Sequence, residues 1–385
     1  MFSSRVPADL GLNRLAAALQ AYRASGRALI DLTATNPTTV GIRYPADLLK
    51  PLGEPGATTY QPEPFGLLAA REAVAGDYAR RGISVAADRI VLTASTSEAY
   101  SLLFKLLCAP AGDDVLAPAP SYPLFDHLTR LDGVASRSYA LEYHGRWELD
   151  QDSVDVAWTR QTRAVLAVTP NNPTGSVLLA AEVEALASRC AARTAALIVD
   201  EVFADYPLGN LAAFQWPSNA LTFRLGGLSK SAGLPQVKLG WIAVDGPNAV
   251  VRAALDRLEV ICDTYLSVST PVQGAAPALI EQGARVREQI QQRVRTNYDN
   301  LRIQALANPS VQLLTAEGGW SAVLRVPSRE PEEEIVIGLL ETRGTLVHPG
   351  FFFDFSTEDF LAVSLLPDPL VFAEGVAHLM EHVRA

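Results

Sequence analysis

Lysine is almost absent from this 385-residue chain: Lys50, Lys105, Lys230 and Lys238 are the only four, against 28 arginines among 32 basic residues. Arginine evidently serves wherever a bare positive charge suffices. Cysteine is scarcer still. Cys108, Cys190 and Cys262 are too few and too far apart for a disulfide framework or a thiolate zinc site, and each is expected in the core. The five histidines have neither HxH nor HExxH spacing, so no metal centre is expected. Positive charge is short overall, at net −10 with a pI near 5.1. No stretch offers phosphate-backbone contacts, which excludes a nucleic-acid partner. No apolar run reaches the ~18 residues of a membrane span, and MFSSRVPADL lacks the apolar core of a signal peptide. The expectation is a cytoplasmic protein with no membrane partner.

Against this scarcity, two of the four lysines lie eight residues apart in GGLSKSAGLPQVKLGW, residues 226–241. A primary amine can lose its proton near neutrality and condense with a carbonyl to a Schiff base, which a guanidinium cannot. Ser229 beside Lys230 can hydrogen-bond a phosphate and Lys238 can neutralise it. Taken alone, the stretch is better explained as two solvated lysines on a surface loop. The rest of the chain has to decide.

The spacing of apolar residues predicts an amphipathic helix at 13–24, a Pro/Gly/Thr loop TATNPTTVGIRYP and a long helix at about 67–82. From about residue 89 short apolar strands (RIVLTA, DVLAP, AVLAVTP, AALIVDE, LTFRLGG, LGWIAV) alternate with helical runs. That alternation predicts an α/β fold whose largely parallel sheet is covered on both faces. A helical stretch at 272–306 then leads to two strands and two helices, read as a smaller α+β domain. The expected division is an N-terminal arm and part of the small domain at 1–45, a large domain at 46–270 and a C-terminal small domain at 271–385.

Open α/β sheets bind ligands at the carboxyl ends of their strands. RIVLTA runs into Ser95-Thr96-Ser97-Glu98, which has capping-box spacing and puts the hydroxyls of Thr96 and Ser97 at a helix N-terminus, a seat for phosphate. DVLAP leads to Tyr122, which can stack on a flat ring. AVLAVTP ends in NNPTG, where Asn172 can donate to a ring oxygen. AALIVDE ends in Asp200, a poorly solvated carboxylate in want of a cation such as a protonated pyridine. Each has an ordinary explanation of its own: a helix cap, a packing ring, a turn, an Asp–Arg pair. Together, in this order, they complement pyridoxal 5′-phosphate.

The chain resembles the class I/II aminotransferases, pyridoxal-phosphate enzymes of fold type I. The likeness rests on NP at 36–37, Tyr60 and the following G…AREAVA, the TSE segment, SYP, NNPTG, DEVF, LSK and KLGW. It implies a mostly parallel, seven-stranded-type sheet sandwiched by helices, with a smaller α+β domain. By resemblance Lys230 carries the cofactor aldehyde, Asp200 pairs with the pyridine nitrogen, Asn172 meets the ring hydroxyl and Tyr122 stacks. Thr96, Ser97, Ser229 and Lys238 hold the phosphate. Tyr60 resembles a residue donated to the neighbouring subunit, which implies a homodimer with shared sites. The activity implied is transfer of an amino group between an amino acid or amine and a 2-oxo acid.

Two positions depart from the family pattern. Phe203 stands where the family has a tyrosine that donates to the ring oxygen, and Tyr206 lies three residues further on. Losing that donor is expected to raise the pKa of the Lys230 Schiff base. In FLAVSLLP, Ala362 stands where the family has an arginine that grips the substrate α-carboxylate. Arg43 is the first replacement considered and Arg325 the second. Asn36 in the N-terminal loop and His348 with Phe351 in HPGFFF are the other expected substrate contacts. Three readings follow: a transaminase with a relocated anchor or an atypical amine, a pyridoxal-phosphate lyase or decarboxylase, and a non-catalytic cofactor-binding module.

Overall fold

A strand covered on both faces must be apolar at successive positions, and the strands of this chain divide on that criterion. The structure, a computed structural model, describes residues 2–209, 216–327 and 330–384. After a two-residue strand β1 (Ile30–Asp31) come β2 (Ile90–Thr93), β3 (Asp114–Ala119), β4 (Ala135–Tyr143), β5 (Trp147–Leu149), β6 (Thr162–Val168), β7 (Ala196–Asp200), β8 (Thr222–Gly227) and β9 (Gly240–Asp245). The last eight form one sheet in the order β2-β9-β8-β7-β6-β3-β4-β5. From β4 through β3, β6 and β7 to β8 the strands run parallel.

Alternate side chains of the central strands enter separate cores. Ile198 packs with Phe223, Leu225 and the helices Thr96–Leu107 and Asn248–Tyr265, whereas Leu197 and Val199 pack with Leu186 and Cys190 of Ala180–Ala192. This is the mostly parallel, helix-covered sheet expected from the sequence.

Two features depart from that reading. LGWIAV, which is β9, is antiparallel to both neighbours. Its connection from β8 holds one helical turn (Leu228–Ser231) and one 3₁₀ turn (Pro235–Val237), with no full crossover helix to bring a strand back parallel. The hairpin β4–β5 adds two strands that no apolar run announced, because it lies at the margin of the sheet and only Tyr139 of ASRSYALEY is fully buried.

The parity of β7 also separates two acids. Asp200 falls on the Ile198 face, and Glu201 turns to the opposite one. There Glu201 takes a bidentate contact from Arg224 (3.0 Å), with the Arg224 guanidinium between the rings of Tyr78 (4.9 Å) and Trp216 (4.8 Å).

The remaining chain builds a second sheet. The helix Thr270–Leu306 has 37 residues, about 55 Å at 1.5 Å per residue. Beyond it come β10 (Gln312–Leu313), β11 (Ser321–Arg325), β12 (Thr345–Leu346), β13 (His348–Pro349) and β14 (Phe360–Ser364). Four of them form an antiparallel sheet, β10-β11-β14-β13, while β12 pairs in parallel with β1. The N-terminal segment is thereby sewn to the C-terminal part: Ser364 donates its backbone N–H to Leu32 O (2.7 Å) and its hydroxyl to Ala34 O (2.6 Å). Among the described residues no helix is long and apolar enough to cross a membrane.

Glu201 is buried against Arg224, with Arg81 at 3.8 Å. Glu201→Ala strands both guanidiniums and is predicted to cost about 3–5 kcal/mol of unfolding free energy. Adding Arg224→Met should recover most of that loss. Urea denaturation of the single and double variants checks both.

Candidate active site

Successive strands of the large sheet end around one cavity of about 640 Å³. Lys230, at the first turn after β8, faces it together with Thr96, Ser97, Tyr122, Asn172, Asp200, Ser229 and Lys238. The sequence named all eight, and the fold brings them together.

Asp200 is buried, and burial pushes its carboxyl up to about 6. Hydrogen bonds oppose that rise: Val202 N–H donates to Oδ1 (3.0 Å) and the Tyr100 hydroxyl to Oδ2 (3.1 Å). The arginine pairing weighed for it belongs to Glu201 instead. Lys230 is the cation that acts on Asp200. In turn burial brings the Lys230 amine down to about 8, against the pull of Asp200. Its Nζ lies 4.9 Å from the ring centre of Trp320 and 5.6 Å from that of Phe203. At neutral pH on the order of a tenth of such an amine is unprotonated, far more than for a solvated lysine.

The phosphate end is built from backbone. Ser95 caps the helix Thr96–Leu107, its hydroxyl accepting from Glu98 N (3.1 Å). The reciprocal contact of the expected capping box is displaced by one residue. Glu98 accepts from Ala94 N (2.6 Å) rather than from Ser95, and it also takes the Ser267 hydroxyl (2.8 Å). Thr96 and Ser97, the first two residues of the helix, line the cavity. Lys238 sits across from them at φ 58°, a left-handed conformation that costs a non-glycine residue about 1–2 kcal/mol.

Asn172 is aimed by a residue the sequence reading passed over. Ser321, at the start of β11, donates its hydroxyl to Asn172 Oδ1 (3.1 Å), leaving the Asn172 NH₂ as the free donor. Tyr100 was missed as well, although it lies four residues after Thr96 on the same helix and so on the same face. Phe125 lines the cavity and meets Tyr100 edge-on at 5.2 Å. Tyr206 does not replace the phenol absent at Phe203, because its hydroxyl donates to the Lys230 backbone oxygen (2.5 Å).

The expected substrate contacts divide. His348 and Ala362 line the cavity. Asn36 does not, since its side chain accepts from Thr38 N (3.0 Å) and the Thr38 hydroxyl (2.7 Å) in an exposed turn. Arg43 is exposed and outside the cavity, its backbone held by Gln289 of the long helix. Arg325 pairs with Asp359 (3.1 Å) and lies over Phe360, in a separate groove. Phe351 stacks outward on Phe352 (5.2 Å), and Phe353 takes the wall position instead. Tyr60 is 72% exposed and lines a different cleft with Tyr265 and Ser267.

This donor set fits pyridoxal 5′-phosphate. A buried carboxylate without a guanidinium matches a protonated ring nitrogen, the oriented amide of Asn172 a ring oxygen, and the helix N-terminus with Ser229 and Lys238 a phosphate. Residues 36–369 match the family model of aminotransferase class I and II, and the chain belongs to that family. Members of the family use this cofactor.

Nicotianamine aminotransferase B of Hordeum vulgare is 30% identical over 231 residues, 57% of this chain and 41% of the barley protein. Glutamate-pyruvate aminotransferase of Escherichia coli (strain K12) is 25% identical over 355 residues, 89% of this chain and 87% of that protein. The chain spans about half the length of the plant relatives it matches. Among solved structures, alanine aminotransferase from Pyrococcus furiosus has the same fold, with a TM-score of 0.88, full coverage of both chains and 20% identity.

Two predictions follow from this geometry. Asp200→Asn removes the charge that raises the amine, so the Lys230 pKa should fall below about 8. The pH dependence of Lys230 acylation in cofactor-free protein, read by peptide mapping, measures it. Ser321→Ala frees the Asn172 amide to turn, and cofactor binding should weaken several-fold to tenfold, the worth of about one hydrogen bond. Fluorescence titration with pyridoxal phosphate checks this without any turnover.

Proposed function

We propose that this protein is a pyridoxal-phosphate transaminase, exchanging an amino group between an amine-bearing compound and a carbonyl compound. The observation that carries the reading is the buried pair of Asp200 and Lys230 in one cavity, with no guanidinium among the described residues that line it. When bound, the cofactor supplies an aldehyde for amine exchange and a ring that accepts electrons.

The chain's own groups do the rest. Lys230 holds the aldehyde and, as a free amine, takes and returns the proton of the substrate carbon. Asp200, its carboxylate fixed by Tyr100 and Val202, keeps a proton on the ring nitrogen. Asn172, turned by Ser321, donates to the ring oxygen. Phe203 and Trp320 shield Lys230 from water on one side. Relatives named as aminotransferases favour transfer over the lyase or decarboxylase reading.

We further read residues 46–270 as the large cofactor-binding domain, 1–45 as an N-terminal arm and part of the small domain, and 271–385 as the C-terminal small domain. Exposed Tyr60 is read as reaching the site of a second copy in a homodimer. The expected setting is cytoplasmic, with no nucleic-acid partner.

Borohydride treatment of the yellow holoenzyme should fix the cofactor at Lys230 and nowhere else, by peptide mapping. Amine addition should convert its absorbance to that of the pyridoxamine form, and Lys230→Ala should lose both responses. Release of ammonia or CO₂ from the substrate in place of that conversion would count for the lyase or decarboxylase reading.

A further inference from the structure

Within the transaminase reading, the wall opposite Lys230 determines what the amine-bearing carbon can carry. That wall is made by β13 and the 3₁₀ turn after it (Gly350–Phe353), β14 and the segment after β1: His348, Phe353, Ala362, Ser364, Thr33 and Thr35. His348 and Ala362 are direct cross-strand partners, so their side chains share one face, and at 362 the wall presents only a methyl group.

Two of the hydroxyls beside them, those of Ser364 and Thr33, have already used their hydrogens. Ser364 donates to Ala34 O (2.6 Å) while accepting from Leu366 N (3.2 Å), and Thr33 donates to Asp31 Oδ1 (2.5 Å). His348 is wedged edge-on against Phe352 (5.8 Å) and Phe353 (5.5 Å). Burial lowers its pKa from the ordinary value, with Asp31 the charged group that opposes this. Among the described residues lining the cavity, the ammonium groups are Lys230 and Lys238, at the aldehyde and phosphate ends, and no guanidinium joins them.

A carboxylate on the amine-bearing carbon would leave water for methyl and phenyl groups, acceptor lone pairs and the field of Asp31. Desolvating an anion with no cation to pair with is unfavourable. A neutral alkyl or aryl group there removes water from Phe353, Ala362 and Val363 instead.

We propose that the amine selected by this site carries no carboxylate on its amine-bearing carbon: it is a neutral-bodied alkyl or aryl amine whose body lies on His348, Phe353 and Ala362. The net exchange is amine plus cofactor aldehyde giving carbonyl compound plus cofactor amine. It balances without an outside oxidant.

The test uses holoenzyme and matched pairs differing only by the carboxylate, butylamine against norvaline and 2-phenylethylamine against phenylalanine. The readout is the rate of conversion to the pyridoxamine form in a single half-reaction. The expected result is at least 100-fold higher kcat/KM for the amine of each pair. Ala362→Arg, with cofactor absorbance retained, should narrow or invert that preference by tenfold or more. Equal rates, or preference for the amino acids by the unmodified protein, overturn the proposal while leaving the transaminase reading intact. Silence toward both members of each pair, with the cofactor fixed on Lys230, overturns both.

Discussion

The attraction between one buried carboxylate and one buried amine sets the terms for everything around it. Asp200 is forced toward neutrality by burial and Lys230 toward the free amine, and each partly restrains the other. Such a pair carries a large desolvation cost, and the fold meets it with Tyr100 and Val202 on the acid and with the rings of Trp320 and Phe203 beside the amine. A group supplying a ring cation to Asp200 and an aldehyde to Lys230 relieves both ends at once. The cavity is therefore better suited to its cofactor than to water.

Placing two acids side by side at the end of β7 depends on strand parity. Asp200 and Glu201 point to opposite faces, so Arg224 neutralises Glu201 without reaching Asp200. A one-residue slip of β7 would exchange the faces of the two acids and bring the wrong carboxylate toward the guanidinium. The Arg224–Glu201 pair thus does more than hold β8 to β7: it keeps the Arg224 guanidinium away from Asp200.

Much of the cofactor half was legible in the sequence because its parts are local. Each of Thr96, Tyr122, Asn172, Asp200 and Lys230 follows a short apolar strand, and strand ends in an open sheet converge whatever the intervening helices do. What escaped was set by tertiary register. Ser321 meets Asn172 across 149 positions, and nothing near GGWSAVL marks its hydroxyl as a partner. Strands β4 and β5 escaped because a hairpin at the margin of a sheet has no need of an apolar run, and the direction of β9 because direction depends on the length of the preceding connection. Arg43 and Arg325 were considered as anchors on charge alone. One is exposed outside the cavity, and the other is committed to Asp359.

The substrate half was harder to read for a related reason: its wall is assembled from three segments far apart in the chain. Residues 31–35, 321 and 348–364 become neighbours only through the β1–β12 pairing, the Ser364–Ala34 bond and the β11–β14–β13 ladder. That assembly has a mechanical consequence. Ser321 and Ser364 are register partners across β11 and β14, so the residue that aims Asn172 and the strand carrying Ala362 belong to one hydrogen-bonded unit. A displacement of the small sheet that reshapes the substrate wall must also move the hydroxyl that orients Asn172. Cofactor contact and substrate fit are thereby coupled through a single rung of the sheet, and a change at either end of that rung is felt at the other.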